Sequence, residues 1–150
     1  MNVLKGIRRA VILLLAAMAA LTVASAASAD SLQIRSGMNG FCLDIQGANP
    51  DPASVVSYPC NGQSNQAWYW DGQQIRSGMN GFCLDIQGAN PDPAPVVSYP
   101  CNGQLNQAWY RNGAEIRSYL NNFCLDIQGA NPDPAPVVTY PCNGQTNQRW

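Results

Sequence analysis

The sequence predicts an all-β domain assembled from three copies of one short unit. Three observations predict it: an internal period of 41 residues, short alternating apolar runs punctuated by turn residues, and no helical spacing after residue 29. Residues 32–72 align with 73–113 without a gap, differing only at Leu32/Gln73, Ser54/Pro95, Ser64/Leu105, Trp70/Arg111 and Asp71/Asn112. The third copy, 114–150, stops a few residues short of a full period. A period of this length marks a repeat architecture in which one unit cannot bury its own apolar face. Three copies that finish with the chain point to a closed three-fold object, so the chemistry of one copy is expected three times.

Within a copy, each element follows from local residue chemistry. Ile34-Arg35-Ser36 reads as a strand leading into a Gly37–Gly40 turn, and Phe41-Cys42-Leu43-Asp44-Ile45 as a short alternating strand. Gln46–Pro52 is a loop, because Pro50 and Pro52 cannot donate to a ladder. Val55–Tyr58 is strand again, Asn61-Gly62 a turn, and Gln66–Tyr69 a fourth strand. Four short strands per copy give about twelve, the regular spacing of a barrel or similar all-β domain.

Ahead of the repeats, Lys5, Arg8 and Arg9 precede an uncharged, Leu/Ala-rich stretch from Ala10 to Ala29 that ends Ala27-Ser28-Ala29. A positive start, an apolar middle and small residues at the end describe a secretory signal peptide, 1–29, cleaved before Asp30. An uncleaved membrane anchor fits less well, since the Ala/Ser-rich end is a poor hydrophobic span. The remaining segment, 30–150, suits one domain of a secreted protein, extracellular or periplasmic. It holds five arginines, no lysine and no histidine against nine acids, a net charge of −4. So few cations cannot neutralise a run of phosphates, which argues against nucleic acid or an anionic membrane as partner.

All six cysteines lie in the repeats, two per copy. Fifteen pairings are possible on paper, but the repeat selects pairing within each copy: Cys42–Cys60, Cys83–Cys101 and Cys124–Cys142. A zinc site competes poorly, given no CxxC, no histidine and an oxidising destination. No metal and no cofactor is expected.

Cys42-Leu43-Asp44-Ile45, Tyr58-Pro59-Cys60 and Asn65-Gln66-Ala67-Trp68 recur in register as Cys83-Leu84-Asp85, Tyr99-Pro100-Cys101 and Asn106-Gln107-Ala108-Trp109. They recur again as Cys124-Leu125-Asp126, Tyr140-Pro141-Cys142 and Asn147-Gln148-Arg149-Trp150. In these elements each copy resembles a repeat of the ricin B-type lectin family, also called the QxW or family 13 carbohydrate-binding fold. The resemblance spans 30–150 and implies a β-trefoil that binds sugars. By the family's pattern Asp44, Tyr58, Asn65 and Gln66 form one sugar site. Asp85, Tyr99, Asn106 and Gln107 form the second, and Asp126, Tyr140, Asn147 and Gln148 the third. Many relatives carry a polar residue, often Gln, two positions before the aromatic. This chain has Val56, Val97 and Val138 there, which removes a hydrogen bond to the ligand.

Strand parity leads to the same place independently. Alternate side chains share a face, so Cys42 groups with Asp44, and Tyr58 with Cys60 and Val56. A Cys42–Cys60 bridge between antiparallel strands then brings Asp44 opposite or close to Tyr58. A carboxylate beside an aromatic ring suits a sugar: the oxygens accept hydroxyl hydrogen bonds and the ring covers the C–H face.

Structural roles compete at several of these positions. Trp68, Trp109 and Trp150 are expected in the core, because such rings anchor a small domain. Gln66, Gln107 and Gln148 either face the ligand or brace the turns, and the residues leave both open. The aspartates could also cap the turns at Gly47, Gly88 and Gly129. The Asn49–Pro52 loop reads as proline-stiffened rather than as a Ca²⁺ site.

The resulting expectation is a non-catalytic lectin with up to three shallow sites for glycans. A glycosidase would need two carboxyl groups within about 5–10 Å, whereas three-fold symmetry separates Asp44, Asp85 and Asp126, and Glu115 occurs once. The alternative is a β-trefoil that binds protein, such as a protease inhibitor or toxin accessory subunit. A protein-binding surface, however, has no reason to repeat an Asp/Tyr/Asn set three times.

Overall fold

The computed structural model describes residues 33–150. The segment read as a signal peptide therefore lies outside the described residues. Ten strands form: β1 Cys42–Ile45, β2 Ala53–Tyr58, β3 Trp68–Asp71, β4 Gln74–Ser77, β5 Cys83–Ile86, β6 Val96–Tyr99, β7 Trp109–Asn112, β8 Glu115–Ser118, β9 Cys124–Ile127 and β10 Ala135–Tyr140. All pairings are antiparallel, in the order β3-β4-β5-β6-β2-β10-β9-β8-β7, with β1 on β2.

Closure comes from one strand of each copy. β2 pairs with β6 at Ser54↔Val97 and with β10 at Pro136↔Val56, and an isolated bridge Pro95↔Val138 completes the ring. The fold is the expected β-trefoil of three repeats. Among the described residues ten strands form rather than twelve: Trp150 stands where β3 and β7 begin in the other copies, and Ile34–Ser36 forms no strand. Ile34-Arg35-Ser36 makes a single bridge, Arg35↔Cys42.

Two further boundaries differ from the sequence reading. Gln66 is not strand but closes a 3-10 turn, Ser64–Gln66, with its N–H on Gln63 O at 3.0 Å. The Gln46–Ala48 loop is also a 3-10 turn, with Gly47 at φ 69° and Ala48 at φ 49°. Both sit in the left-handed region, which glycine enters freely and alanine only at a cost.

The core alternates as the sequence implied. Leu43 and Ile45, with their equivalents Leu84, Ile86, Leu125 and Ile127, are fully buried and pack with Val55, Ile75, Ile116 and the three tryptophans. Each indole N–H donates to a core carbonyl, Trp68 to Leu43, Trp109 to Leu84 and Trp150 to Leu125, all at 2.9 Å. A buried ring whose polar edge is satisfied costs nothing in orphaned donors.

The disulfides are Cys42–Cys60, Cys83–Cys101 and Cys124–Cys142, each closing a separation of 18 residues. Constraint of a loop that size in the unfolded chain is worth about 3 kcal/mol. Replacing Cys124 and Cys142 together by serine is expected to lower stability by about that much, read as a shift in denaturant midpoint. No shift would mean that the bridge places no net constraint on the unfolded chain.

Candidate functional site

The β1–β2 register sets the geometry of the site. Cys42 pairs with Tyr58, Leu43 with Ser57, Asp44 with Val56 and Ile45 with Val55. Asp44 is thus close to Tyr58 but not opposite it; Val56 is opposite, and Tyr58 lies one step along the same face. The same register holds for Asp85/Val97 and Asp126/Val138. The aspartates are buried, while Tyr58, Tyr99 and Tyr140 remain 45%, 46% and 48% exposed. A half-open ring therefore stands beside a sunken carboxylate three times over.

Hydrogen bonds divide the labour of that carboxylate. Gln66 Nε2 donates to Asp44 Oδ2 at 2.7 Å, and Asn65 Nδ2 donates to the same oxygen at 3.1 Å. The second copy repeats this with Gln107 at 2.7 Å and Asn106 at 3.0 Å, and in the third Gln148 donates at 2.7 Å. Among the described residues no bond reaches Oδ1 of any of the three. One oxygen is held by amides, and the other is the open acceptor of the pocket that Asp44 lines. The turn-capping role is also absent from the described residues, since the partners are Gln66 and Asn65 rather than the Gly47 turn.

The glutamines stand behind the site. Gln66, Gln107 and Gln148 are completely buried. Gln66 Oε1 accepts from Asn61 N at 2.8 Å, and its Nε2 also donates to Pro59 O at 3.0 Å. With both ends committed, these side chains brace the carboxylate, and they line none of the three pockets. Of the two roles the sequence left open for them, these hydrogen bonds are those of bracing. Asn65, Asn106 and Asn147 do line the pockets, and the Oδ1 of each is buried with no partner among the described residues. A buried acceptor without a donor is costly.

Burial raises the Asp44, Asp85 and Asp126 carboxyls above the ordinary value of 3.8; the amide hydrogen bonds of the neighbouring Gln and Asn oppose that rise only in part. A carboxyl whose folded pKa is raised holds its proton in the folded state at a pH where the unfolded chain has released it. These groups therefore favour folding most on the acid side, and that contribution is lost as pH rises from 3.8 through the raised value. Ligand binding through the ionised Oδ1 has the opposite sign. We expect glycan binding to fade on acidification with a midpoint above 3.8, while circular dichroism stays unchanged over that range. A midpoint at or below 3.8 would mean that the buried carboxylates are not the acceptors.

The pockets have volumes of about 540, 520 and 710 Å³, within the range of small-ligand sites. The sequence reading missed two sets of lining residues. Asn61 and its counterparts were visible only as turn residues and Gln63 and its counterparts were not singled out, although their repetition in every copy was a signal. The second set comes from a neighbouring copy: Pro134–Pro136 at Asp44, Pro52–Ser54 at Asp85 and Pro93–Pro95 at Asp126.

The three-fold β fold, with one carboxylate, one exposed tyrosine and one buried asparagine lining each pocket, defines the class as a β-trefoil. Residues 30–150 match the ricin-type beta-trefoil lectin domain, and the chain belongs to that family. Among solved structures it is similar to a designed three-fold symmetric protein, ThreeFoil, at 26% identity over 79% of this chain and 94% of that one, with a TM-score of 0.73. It is similar to the C-half of the earthworm R-type lectin, solved in complex with GalNAc, at 26% identity over 79% and 93%, TM-score 0.69. A third likeness is the β-trefoil lectin of the Vibrio vulnificus hemolysin/cytolysin, with N-acetyl-D-lactosamine bound, at 27% identity over 79% and 90%, TM-score 0.65. No curated protein sequence gives a match.

Proposed function

We propose that the chain is an exported, non-catalytic lectin with up to three equivalent sugar sites: Asp44/Tyr58/Asn65, Asp85/Tyr99/Asn106 and Asp126/Tyr140/Asn147. In this reading residues 1–29 direct export and are removed before Asp30, and the domain works outside the cell or in the periplasm. The observation that carries the reading is the open carboxylate oxygen beside a half-exposed tyrosine ring in every copy. A sugar hydroxyl donates to the oxygen and its C–H face packs on the ring. Each pocket holds a single acid among its lining residues, which supports binding over hydrolysis by a carboxyl pair.

Sites of one ring and one carboxylate hold a monosaccharide only weakly, near millimolar, so three together suit a polyvalent glycan. The bound sugars of the two lectin structures, GalNAc and N-acetyl-D-lactosamine, are the first probes to try. The test is a glycan array read with the protein from Asp30 to Trp150. Selective retention of a group of related glycans supports the proposal. Uniformly blank spots, with the protein folded, would overturn it.

A further inference from the structure

The third copy opens with a turn unlike the other two. Where the first copies have Gly37-Met38-Asn39-Gly40 and Gly78-Met79-Asn80-Gly81, the third has Tyr119-Leu120-Asn121-Asn122. Both glycine positions resist a side chain. A Cβ on Gly37 would stand 3.0 Å from Arg149 Cβ, and one on Gly78 2.9 Å from Ala67 Cβ. Tyr119 carries its Cβ at the same place, and its N–H reaches Ala108 O at 2.9 Å, against 2.7 Å from Gly78 N to Ala67 O. Asn122 keeps the left-handed backbone of Gly40 and Gly81, at φ 61° against 73° and 74°, a region that costs any residue with a Cβ.

The two replacements meet in one place. The Tyr119 ring lies 4.7 Å from that of Tyr110, tilted by 49°, and the Tyr110 hydroxyl donates to Asn122 Oδ1 at 3.1 Å. Neither tyrosine belongs to the core, and Tyr119 is 43% exposed. Packing therefore does not account for the change of turn. What it builds is an aromatic shelf with an amide at its edge, whose Nδ2 donates to nothing among the described residues. The shelf continues the third sugar site. A cross-strand row runs Tyr110↔Arg117↔Cys124↔Tyr140. Paired residues project on one face, and at about 4.8 Å per strand Tyr110 stands about 14 Å from Tyr140. Between them Asn122 O lies 3.5 Å from Sγ of Cys142, the residue bridged to Cys124. Arg117, in the middle of the row, is paired with Glu115 at 2.6 Å, so the path suits a neutral chain. The second site has Tyr69 on the corresponding row but glycine at 78 and 81, and the first has Gly37 and Gly40.

We propose, resting on the carbohydrate reading above, that Tyr110, Tyr119 and Asn122 form a further subsite, which takes a distant sugar ring of the same neutral glycan chain held at Asp126 and Tyr140. The ring's C–H face packs on Tyr119, and the Asn122 amide donates to one of its oxygens. For a short sugar the three sites stay alike. Only the third gains from a chain long enough to reach the shelf.

Oligomers of N-acetyl-D-lactosamine with one, two and three repeats are the probes. Amide chemical shifts of Gly47, Gly88 and Gly129, each lining one pocket, report the sites separately in the intact protein, and the Asn122 side-chain amide reports the shelf. From one repeat to three, affinity at Gly129 should rise about fivefold more than at Gly47 or Gly88, the worth of one aromatic contact. The Asn122 amide should shift with three repeats and not with one. Tyr119→Gly should bring the Gly129 gain down to that of the other two sites. That variant is compatible with the fold, since glycine already stands at both equivalent positions. Tyr119→Phe, which keeps the ring, should retain the gain. Equal gains at all three glycines, or a Gly129 gain unmoved by Tyr119→Gly, overturn the subsite while leaving sugar binding intact. If no oligomer shifts any of the three glycines, the carbohydrate reading falls and this one with it.

Discussion

With Asp44, Asp85 and Asp126 all replaced by asparagine, the protein is expected to keep its β-rich circular dichroism and to lose glycan binding. The bracing arrangement explains how both follow from one change. The asparagine carbonyl takes over from Oδ2, accepting from Gln66 and Asn65 as the carboxylate does at 2.7 and 3.1 Å. Its amide nitrogen then occupies the place of Oδ1, so the pocket offers a donor where a sugar hydroxyl needs an acceptor. A single substitution should remove one site and leave the intrinsic affinity of the others unchanged in a titration with free oligosaccharide. On a dense glycan surface the same single change should cost more, up to about a hundredfold, because avidity multiplies through effective concentration. A folded triple variant that binds glycan as tightly as the parent would place the sites elsewhere.

Removing Trp150 is expected to cost about 3–5 kcal/mol, the range for emptying a large aromatic site in a core. The residue is 9% exposed, against 2% for Trp68 and 1% for Trp109, and its indole is bonded in the same way as theirs. The backbone of the residue is committed as well: Trp150 N–H donates to Ala114 O, and Trp150 O accepts from Arg111 Nη1, both at 2.8 Å. Truncation after Arg149 therefore opens a cavity and frees a cation together. For a domain of this size the melting temperature should fall by about 10–20 °C. An unchanged melting temperature would show that the ring contributes nothing to the core.

Much of the architecture was legible because it rests on local, repeated signals. The period of two placed Leu43 and Ile45 on the core face and Asp44 on the other, and the structure keeps that division. The in-copy cysteine pairs followed from the repeat alone. The tryptophans were assigned to the core on size. Gln66 was legible only as an alternative, since the same side chain serves either role. Which it takes depends on a 3-10 turn that aims its amide at a carboxylate 22 residues away.

The sequence by itself determined the number of units, the strand character of each and the disulfide pairs, because each depends on neighbours within one copy. Only the tertiary structure decided that Val56 and not Tyr58 faces Asp44, that one oxygen of each carboxylate is already taken, and that every pocket borrows a wall from another copy. These depend on strand register and on closure between segments as far apart as Asp44 and Pro136. Side-chain parity fixes which face a residue occupies, but not how far one strand slides along the next.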